Sequence, residues 1–263
     1  FSLAAECFGF SLRLIWMPGS GEINDCLARL QLVPAKDSKT KEKDEILAAL
    51  QKRHNNRFPF KMNIPIPPGE VRRLEAIGEG EDIKVFVVSN KAQLGEIASL
   101  IKIGTEFAFT DPKFRAELAS YIAPHVSSRR DGIPTYTANI KFFSSFFAPL
   151  VMRRFNVGRA QAGEDQRQFE KAPAFLVFCS KTDNNLAWLK TGFFFEKAII
   201  ELTKNRIAHG INTAPIEAPL LPEVLQKILG TNFRPQMLIR IGYPTKIPKH
   251  APRREVSDIL IMK

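Results

Sequence analysis

The most constraining feature of the sequence is a proline-rich segment at residues 210–223, which reads GINTAPIEAPLLPE. It follows a long run with helical spacing of apolar residues and contains Pro215, Pro219 and Pro222. Because proline fixes φ and lacks a backbone donor, we expect a helix to end at Gly210 and the chain then to run stiff and extended. Two interpretations stay open. The segment holds backbone donors in a fixed place for a flat polar ring, or it simply connects two helices.

The composition describes a folded chain with an excess of positive charge. Of its 263 residues, 44% are hydrophobic, which is enough for one large domain or two small ones with a real core. The net charge of +11 favours an anionic partner. The basic residues form scattered pairs instead of one stripe with interleaved aromatics, which argues against nucleic acid and fits a small phosphate-bearing molecule. The pairs are Arg129-Arg130, Arg153-Arg154 and Arg253-Arg254.

Cysteine and histidine usage argues against several other classes. Cys7, Cys26 and Cys179 show neither metal nor redox spacing, and their odd number argues against a disulfide framework, so we expect a reduced, cytoplasmic chain. The most apolar run, residues 142–152, is about half as long as a membrane-spanning helix, so no membrane partner is expected. No nucleophile elbow is present, and no two histidines have the i, i+4 spacing of a metal pair.

Periodicity predicts an α+β fold in which helices outnumber strands. Alternating or continuous apolar runs indicate strands at residues 11–16, 84–88, 174–180 and 237–243. The longest helical pattern covers residues 186–209, with Asp183 or Asn184 as its cap and an apolar middle that should be buried. No glycine-rich phosphate loop follows a strand, so the dinucleotide-binding fingerprints are absent.

The two ends of the chain share the same order of predicted elements, which is a weak internal repeat. Near the start, an apolar helix ends at Gly9, an extended run reaches Pro18, and a short helix at residues 24–30 leads into an apolar run. The same order of helix, glycine, proline, short helix and apolar run returns around Gly210. We therefore expect the start of the chain to be the tail of a first repeat whose front is missing. A duplicated chain can imitate a two-fold dimer, with a site at the seam.

A basic cluster with the sequence KRHNNR directly follows a predicted helix. It could simply complement the helix dipole, since cations near a helix C-terminus stabilise it by up to ~1 kcal/mol. It could instead form an anion clamp, in which Arg53 supplies a planar fork for phosphate, Asn55 adds a neutral donor and Arg57 reaches a second acceptor. Arg253 and Arg254 in the tail offer a second basic element for the same phosphate.

Three motifs together resemble the FMN-dependent nitroreductase family. KRHNNRFPF is similar to the family's opening motif, a basic helix end followed by Arg or Lys and a Phe. GINTAPIEAP is similar to the loop under the flavin ring, which typically reads as glycine, a few residues, then Pro-Ile-Glu-Gly. PRREVSDIL is similar to the C-terminal phosphate element. The motifs occur in family order across residues 46–263, which leaves residues 1–35 as the first-repeat remnant and residues 36–45 as a linker.

The resemblance implies a mixed central sheet with long buried helices and one FMN per site at a two-fold interface, in a homodimer or a pseudo-dimer within one chain. It implies that Arg53 and Asn55 hold phosphate and ribose. Arg57 would face the O2/N1 edge of the ring, and the Glu217 backbone N–H would reach N5. NAD(P)H would supply a hydride, passed through flavin N5 to a nitro- or quinone-type aromatic acceptor. The implied cofactor-binding residues are Arg53, His54, Asn55, Arg57, Pro215, Ile216, Glu217, Ala218, Arg253 and Arg254.

Departures from the family pattern bear on the function. Ala218 stands where the loop usually has Gly, and the family's Ala-Pro-Ser…Asn…Gln-Pro-Trp motif is absent around residues 80–90. Residues 126–157 form a long, aromatic-rich insertion that could be core, a partner surface or a lid. The segments DPKFRAELASYI and RRDGIP, together with the apparent duplication, resemble the Acg-like branch of single-chain, two-repeat relatives that bind FMN beneath a lid. The alternative function is a flavin-sequestering protein with a covered site and little or no reductase activity.

Overall fold

The computed structural model describes residues 1–17, 26–35, 41–138 and 140–260. The fold is α+β, as the sequence predicts. The strands are β1 (Phe10–Trp16), β2 (Ala28–Pro34), β3 (Ile83–Val88), β4 (Ile122–Ala123), β5 (Ile133–Pro134), β6 (Ala174–Ser180), β7 (Ala208–Ile211) and β8 (Arg234–Gly242). The helices are α1 (Ser2–Cys7), α2 (Lys41–Lys52), α3 (Pro68–Glu75), α4 (Lys91–Ala108), α5 (Pro112–Tyr121), α6 (Phe142–Ser145), α7 (Ala148–Arg154), α8 (Gly158–Glu170), α9 (Asn185–Lys204), α10 (Ala214–Glu217) and α11 (Leu221–Leu229). Short 3₁₀ turns occupy Thr135–Ala138 and Val256–Asp258.

Within the described residues, the main sheet has four strands in the order β3-β6-β8-β7, and all neighbouring strands are antiparallel. The predicted strand at residues 174–180 is confirmed as β6, and every residue in it is buried, as expected for a strand covered on both faces. Pro235 of β8 lies opposite Cys179, where the register shifts at a bulge. A residue without an N–H is tolerated in a strand at such a bulge.

Helices cover both faces of the sheet because side chains of β6 alternate between them. Phe175 and Val177 join a core cluster formed with α4 and α11, whereas Leu176 and Phe178 join a cluster formed with α9 and α3. Asn184 caps α9, since its side-chain oxygen accepts a hydrogen bond from the Ala187 N–H at 3.0 Å. The sheet is therefore the rigid centre on which the loops at its edges are mounted.

The prediction of one helix across residues 186–209 is wrong in its last part. α9 ends at Lys204, and Arg206 then takes a left-handed φ of 58°, which stops a helix. The following residues form β7, which pairs with β8 and buries His209. The apolar middle of α9 is buried at residues 198–200, as predicted, but the three phenylalanines at residues 193–195 are only partly buried.

The segment at residues 210–223 is not extended, and this prediction is also wrong. Gly210 lies inside β7, and the short helices α10 and α11 follow it. Pro215 and Pro222 stand in the first turns of these helices, where a missing N–H breaks no intrahelical hydrogen bond. Leu220 takes a φ of 65° between them, and Gly230 ends α11 in the left-handed conformation. The prolines therefore begin helices and do not stiffen an extended run.

The first part of the chain forms α1 and a separate antiparallel pair of strands, β1 and β2. The strand predicted at residues 11–16 is confirmed within β1. The helix predicted at residues 24–30 is wrong where the structure describes it, because residues 28–30 belong to β2. Pro18 and Asn24 lie outside the described residues, as do residues 36–40 of the expected linker, and residues 41–45 begin α2.

The aromatic-rich insertion at residues 126–157 contains β5, α6 and α7. Its phenylalanines are largely exposed to solvent, with Phe143 at 81% and Phe147 at 65%. The run therefore does not form part of the hydrophobic core. Large exposed aromatic side chains indicate a partner surface or a lid, the two other interpretations of this insertion.

Candidate functional site

The KRHNNR cluster continues along the edge of the main sheet. The Ile211 N–H donates to Asn55 Oδ1 at 3.0 Å, and the Asn56 N–H donates to the His209 carbonyl at 2.8 Å. Asn55 and His209 form a parallel bridge, so this part of the cluster acts as a short extra strand beside β7. The sheet edge therefore fixes the direction in which Arg57 leaves the backbone.

Asn56 joins the cluster to the C-terminal tail. Its side chain is fully buried, with Nδ2 donating to the Lys246 carbonyl at 2.9 Å and Oδ1 accepting from the Phe58 N–H at 2.8 Å. The Thr245 N–H donates to the Pro59 carbonyl at 3.1 Å, which continues this contact. Two basic segments that are far apart in the sequence are thereby brought next to each other.

A cavity of about 130 Å³ lies where the cluster, the insertion and the tail meet. The rings of His54 and His250 pack across the junction, with centroids 4.6 Å apart. The polar lining consists of His54, Asn55, Arg57, Thr137 and Lys249. Among the described residues that line it there is no carboxylate, so the chemistry of the cavity favours an anion.

Arg57 is a half-buried cation with weak protein partners. Its one hydrogen bond to the described residues is long, from Nη1 to Thr137 Oγ1 at 3.5 Å. Burial lowers the pKa of Arg57, and the nearby carboxylate of Asp165 opposes this shift. The guanidinium stays charged at neutral pH and keeps unused donors beside the cavity, which is the arrangement that binds a phosphate or a carbonyl oxygen.

Two histidines of the site, His54 and His209, differ in their hydrogen bonds and surroundings. His54 Nδ1 lies 2.8 Å from the Lys52 carbonyl, while its Nε2 is buried without a hydrogen-bond partner among the described residues. Burial, followed by the charges of the neighbouring His54 and Arg53, lowers the pKa of His209 to about 4. His209 is therefore neutral at pH 7, and the unpaired Nε2 of His54 is a candidate ligand contact.

The structure does not place Arg53 and Arg254 on one common partner. Arg53 forms an ion pair with Glu196 of α9, and Arg254 pairs with Asp131 of the insertion at 3.3 Å. Neither arginine lines the cavity. Each guanidinium thus has a carboxylate partner, and Asp131 also pairs with Arg129 at 3.2 Å.

Arg253 lies on the tail beside the cavity. Burial lowers the pKa of His250, and the charges of His54 and then Arg253 add to this effect. The charge of Arg253 therefore reaches the ring that closes the junction between the cluster and the tail.

The four predicted residues of the proline-rich loop lie in and just after α10, outside the described lining of the cavity. The Glu217 N–H donates to the Thr213 carbonyl at 3.2 Å, as does the Ile216 N–H at 2.8 Å. Thr213 Oγ1 also donates to Glu217 Oε1 at 2.6 Å. Pro215 and Ala218 are buried against neighbouring elements. The amide predicted to reach a ring is thus engaged within the helix.

Two charged residues beneath the cluster, Arg240 and Asp165, were not predicted from the sequence. Arg240 of β8 is 2% exposed, and its signal was visible as an arginine inside the apolar run MLIRIGY. Asp165 lies in the polar helix α8, where the sequence pattern does not distinguish a half-buried carboxylate from the exposed ones. Burial raises the pKa of Asp165, and hydrogen bonds from Gln161, Thr105 and Asn212 oppose this shift.

No helix in the described ranges is long and apolar enough to cross a membrane. The described residues also contain no group of three or more His, Cys, Asp or Glu side chains placed to hold a metal ion. Cys7, Cys26 and Cys179 are free thiols. Burial raises the pKa of Cys179 to about 12, so this thiol is not a nucleophile at neutral pH.

No family profile matches the chain, and no curated protein matches it in sequence. Several solved structures are similar. The FMN-dependent nitroreductase NfnB from Mycobacterium smegmatis, in complex with NADPH, is 16% identical over 85% of this chain and 100% of its own, with a TM-score of 0.56. The FMN and NADPH-dependent nitroreductase NfnB from Sphigopyxis sp. strain HMH is 14% identical over 83% and 98%, with a TM-score of 0.52. A nitroreductase with bound FMN from Desulfitobacterium hafniense DCB-2 is 16% identical over 83% and 98%, with a TM-score of 0.50.

These likenesses cover nearly the whole length of each solved chain, so they concern a complete fold and not a shared fragment. Their low sequence identity restricts them to the arrangement of the backbone. The predicted α+β, nitroreductase-like fold is confirmed. Among the described residues, the expected mixed character of the central sheet comes from the parallel bridge between Asn55 and His209, since its four strands are antiparallel. The chain has the fold of the FMN-dependent nitroreductases.

Proposed function

We propose that this chain is an FMN-binding oxidoreductase that takes a hydride from NAD(P)H and delivers it to a nitro- or quinone-type aromatic acceptor. The observation that carries the proposal is the cation-lined cavity where the KRHNNR cluster, the insertion and the tail meet. Support comes from the fold, which is shared with nitroreductases described as FMN-dependent, in complex with NADPH, or with bound FMN.

The donors at the cavity fit a ligand that carries both a phosphate and polar ring atoms. Arg57 has only a long protein hydrogen bond, and Asn55 uses its Oδ1 on the sheet edge while no described residue accepts from its Nδ2. His54 Nε2 offers an acceptor without a partner among the described residues, because Nδ1–H is used on the Lys52 carbonyl, and Lys249 adds an ammonium to the lining. A set of cations and neutral donors with unused hydrogens is what an anionic cofactor requires.

In this proposal each residue of the cluster has a separate task. When bound, FMN supplies reversible hydride transfer, and the protein supplies orientation and charge. Arg57 would place a positive charge beside the O2/N1 edge of the ring, and Asn55 would donate to the sugar chain of the cofactor. Lys249 would bind the phosphate, with Arg253 following on the same tail. His54 Nδ1–H is used on the Lys52 carbonyl, so its Nε2 would accept a hydrogen bond from a hydroxyl of the cofactor's sugar chain.

The remaining predicted contacts require local rearrangement. Arg53 and Arg254 would have to leave Glu196 and Asp131 to bind phosphate. Glu217 would have to turn its N–H away from the Thr213 carbonyl to reach N5. Pro215, Ile216 and Ala218 would form the loop wall below the ring and would make no direct polar contact with it.

The small volume of the cavity supports a ligand site that is completed by a second subunit or a second repeat. Ligand pockets usually measure about 300–1,000 Å³, and the cavity here measures about 130 Å³. We therefore include in the proposal a homodimer, or a pseudo-dimer in which residues 1–35 are part of a first, Acg-like repeat. The order helix, strand, connection, antiparallel strand in α1–β1–β2 repeats that of α9–β7–β8, which supports the second form.

The test is spectroscopic. The purified protein mixed with FMN should show bound-flavin absorbance, which bleaches when NADPH or NADH is added without oxygen. Arg57→Met should weaken FMN binding by about 10- to 100-fold, the effect of losing a charge-assisted hydrogen bond. Arg153→Met, which removes an exposed arginine of α7, is the matched control and should bind FMN normally. A colourless protein that ignores added FMN overturns the proposal.

A second candidate function is flavin sequestration without turnover, and the insertion favours it. Ile133, Pro134 and Thr137 of the insertion line the cavity, and the exposed phenylalanines within and around α6 follow in the same segment. Such a segment could cover the ring and keep NAD(P)H away. The protein would then bind FMN without bleaching, and deletion of residues 142–154 would restore bleaching. Bleaching of the intact protein rules out this second function.

A further inference from the structure

Arg240 is a buried cation directly beneath the cluster. It belongs to β8, and its hydrogen-bond partners are neutral oxygens. Burial lowers the pKa of Arg240 to about 10, while the charges of Asp165 and then Glu164 oppose the shift, so the guanidinium remains charged at pH 7. A buried charge is costly unless its contacts are specific, and such a residue in a sheet core calls for a reason.

The contacts of Arg240 converge on the two residues that flank Arg57. Its Nη2 donates to the Asn56 carbonyl at 3.2 Å, to the Phe58 carbonyl at 3.0 Å and to Gln168 Oε1 at 2.8 Å. The guanidinium carbon stands 4.2 Å from the centroid of the Phe60 ring, a cation–π contact. One guanidinium thus fixes the backbone on both sides of Arg57.

Gly210 makes this arrangement sterically possible. A Cβ atom at this position would stand 2.8 Å from Arg240 Nε and 2.9 Å from the Asn56 carbonyl oxygen. Distances this short are not seen for real side chains, so only glycine lets the guanidinium lie between β7 and the cluster. The close approach is a packing requirement, because Gly210 has no positive φ.

Asp165 connects the same arrangement to the proline-rich loop. Its carboxylate accepts from Gln161 at 2.8 Å, Asn212 at 3.1 Å and Thr105 at 3.3 Å. Asn212 in turn accepts from the Ala214 N–H at 3.0 Å at the start of α10. The negative charge of Asp165 opposes the lowering of the pKa of both Arg57 and Arg240 by burial.

We propose that Arg240 is a positioning residue that holds Arg57 in place and through it sets the affinity and reduction potential of the bound flavin. This inference rests on the proposed function. Arg240 itself does not line the cavity, and its effect on the ligand passes entirely through the backbone of residues 56–58.

A double-mutant cycle tests the coupling between the two arginines. Arg57→Met and Arg240→Met should each weaken FMN binding by at least tenfold and make the reduction potential more negative, because both take the positive charge from the ring edge. The double variant should bind FMN no more weakly than Arg57→Met alone. Arg234→Met, which removes another β8 arginine that pairs with Glu223 at 2.6 Å, is the matched control and should leave both quantities unchanged. Multiplicative losses in the double variant overturn the inference.

Hydrogen exchange on the flavin-free protein separates this inference from the proposed function. In Arg240→Met the amides of Asn56 and Phe58 should exchange at least tenfold faster, while the amides of β6 keep their wild-type rates. If Arg240→Met does not fold, Arg240→Lys replaces it. This variant keeps the charge but lacks the planar guanidinium, so it should show the same local acceleration of exchange. Unchanged rates at residues 56–58, or equal acceleration throughout the sheet in both variants, overturn the positioning role. Failure of the wild-type protein to bind FMN refutes the proposed function alone, because exchange still decides the role of Arg240.

Discussion

The two basic segments that meet at the cavity are held in opposite ways. The cluster at residues 53–58 is anchored by buried groups, since Asn56 is 0% exposed and Arg240 is 2% exposed. Beyond its buried contact with Asn56 at Lys246, the tail is held by exposed partners, such as the ion pair between Arg254 and Asp131. The predicted anion site therefore consists of a fixed half, the cluster, and an adjustable half, the tail.

The difference follows from the surroundings of the hydrogen bonds. Polar contacts in a low-dielectric interior are strong and expensive to leave unmade, so they fix geometry. Exposed ion pairs contribute little and are screened by salt, so they allow movement. We infer that the cluster presents its donors in advance, while the tail adjusts around whatever occupies the cavity. Three experiments test this division, ordered by the size of the expected effect.

Lowering the pH should reduce the stability that the fixed half contributes, through the buried His209. His209 has its pKa lowered to about 4 by burial, from 6.5, so it stabilises the fold fully above pH 6.5 and this contribution is lost as the pH falls toward about 4. A shift of this size corresponds to roughly 3 kcal/mol. Denaturant unfolding at pH 7 and pH 4.5 should show a smaller loss for His209→Leu than for the wild type. Parallel losses in the two proteins would contradict the assignment.

A methyl group at residue 210 should disturb the fixed half without changing its charge. Gly210→Ala should lower the free energy of unfolding by about 1–3 kcal/mol, because Arg240 and the Asn56 carbonyl must move. Gly192→Ala is the matched control, since a Cβ there meets no atom within 4 Å, and it should stabilise α9 by about 0.5–1 kcal/mol. Chemical unfolding measures both, and equal effects would show that the close approach is unimportant.

Removing an ion pair should affect only the adjustable half. Asp131→Asn removes the carboxylate that holds Arg254, so trypsin should cut the tail a few-fold faster while the unfolding midpoint stays the same. Added salt should have the same effect on the wild type. Asp82→Asn, which removes an exposed partner of Lys181, is the control. A lower midpoint in Asp131→Asn would mean that the tail is part of the fixed structure.

The fold was predictable where a segment's own pattern determines its structure. Continuous apolar runs located β3, β6 and β8 within a few residues of their bounds, because strands buried on both faces need such runs. β7 was missed because residues 208–211 continue a helical pattern, and their strand state depends on pairing with β8. The prolines of residues 210–223 were misread for a related reason, since proline begins helices as readily as it interrupts them.

The site was predictable in its basic residues but not in their partners. The sequence indicated that the cluster and the tail belong together, and the hydrogen bond from Asn56 to the Lys246 carbonyl joins them. It could not show that Arg53 is paired with Glu196 while Arg57 remains available, because that choice depends on α9 packing beside α2. An arginine in a buried strand was the overlooked signal, since Arg240 needs the carbonyls of the cluster as partners.

The contact between Asn56 and Lys246 also sets an order of events during synthesis. It joins residues 190 positions apart in the chain. At about 5–20 residues per second, residue 246 emerges from the ribosome roughly 10–40 seconds after residue 56. During this interval the amide of Asn56 has no carbonyl from the tail, and the cavity lacks one of its walls. A ligand that contacts all three walls can therefore be captured only once translation of the tail is complete.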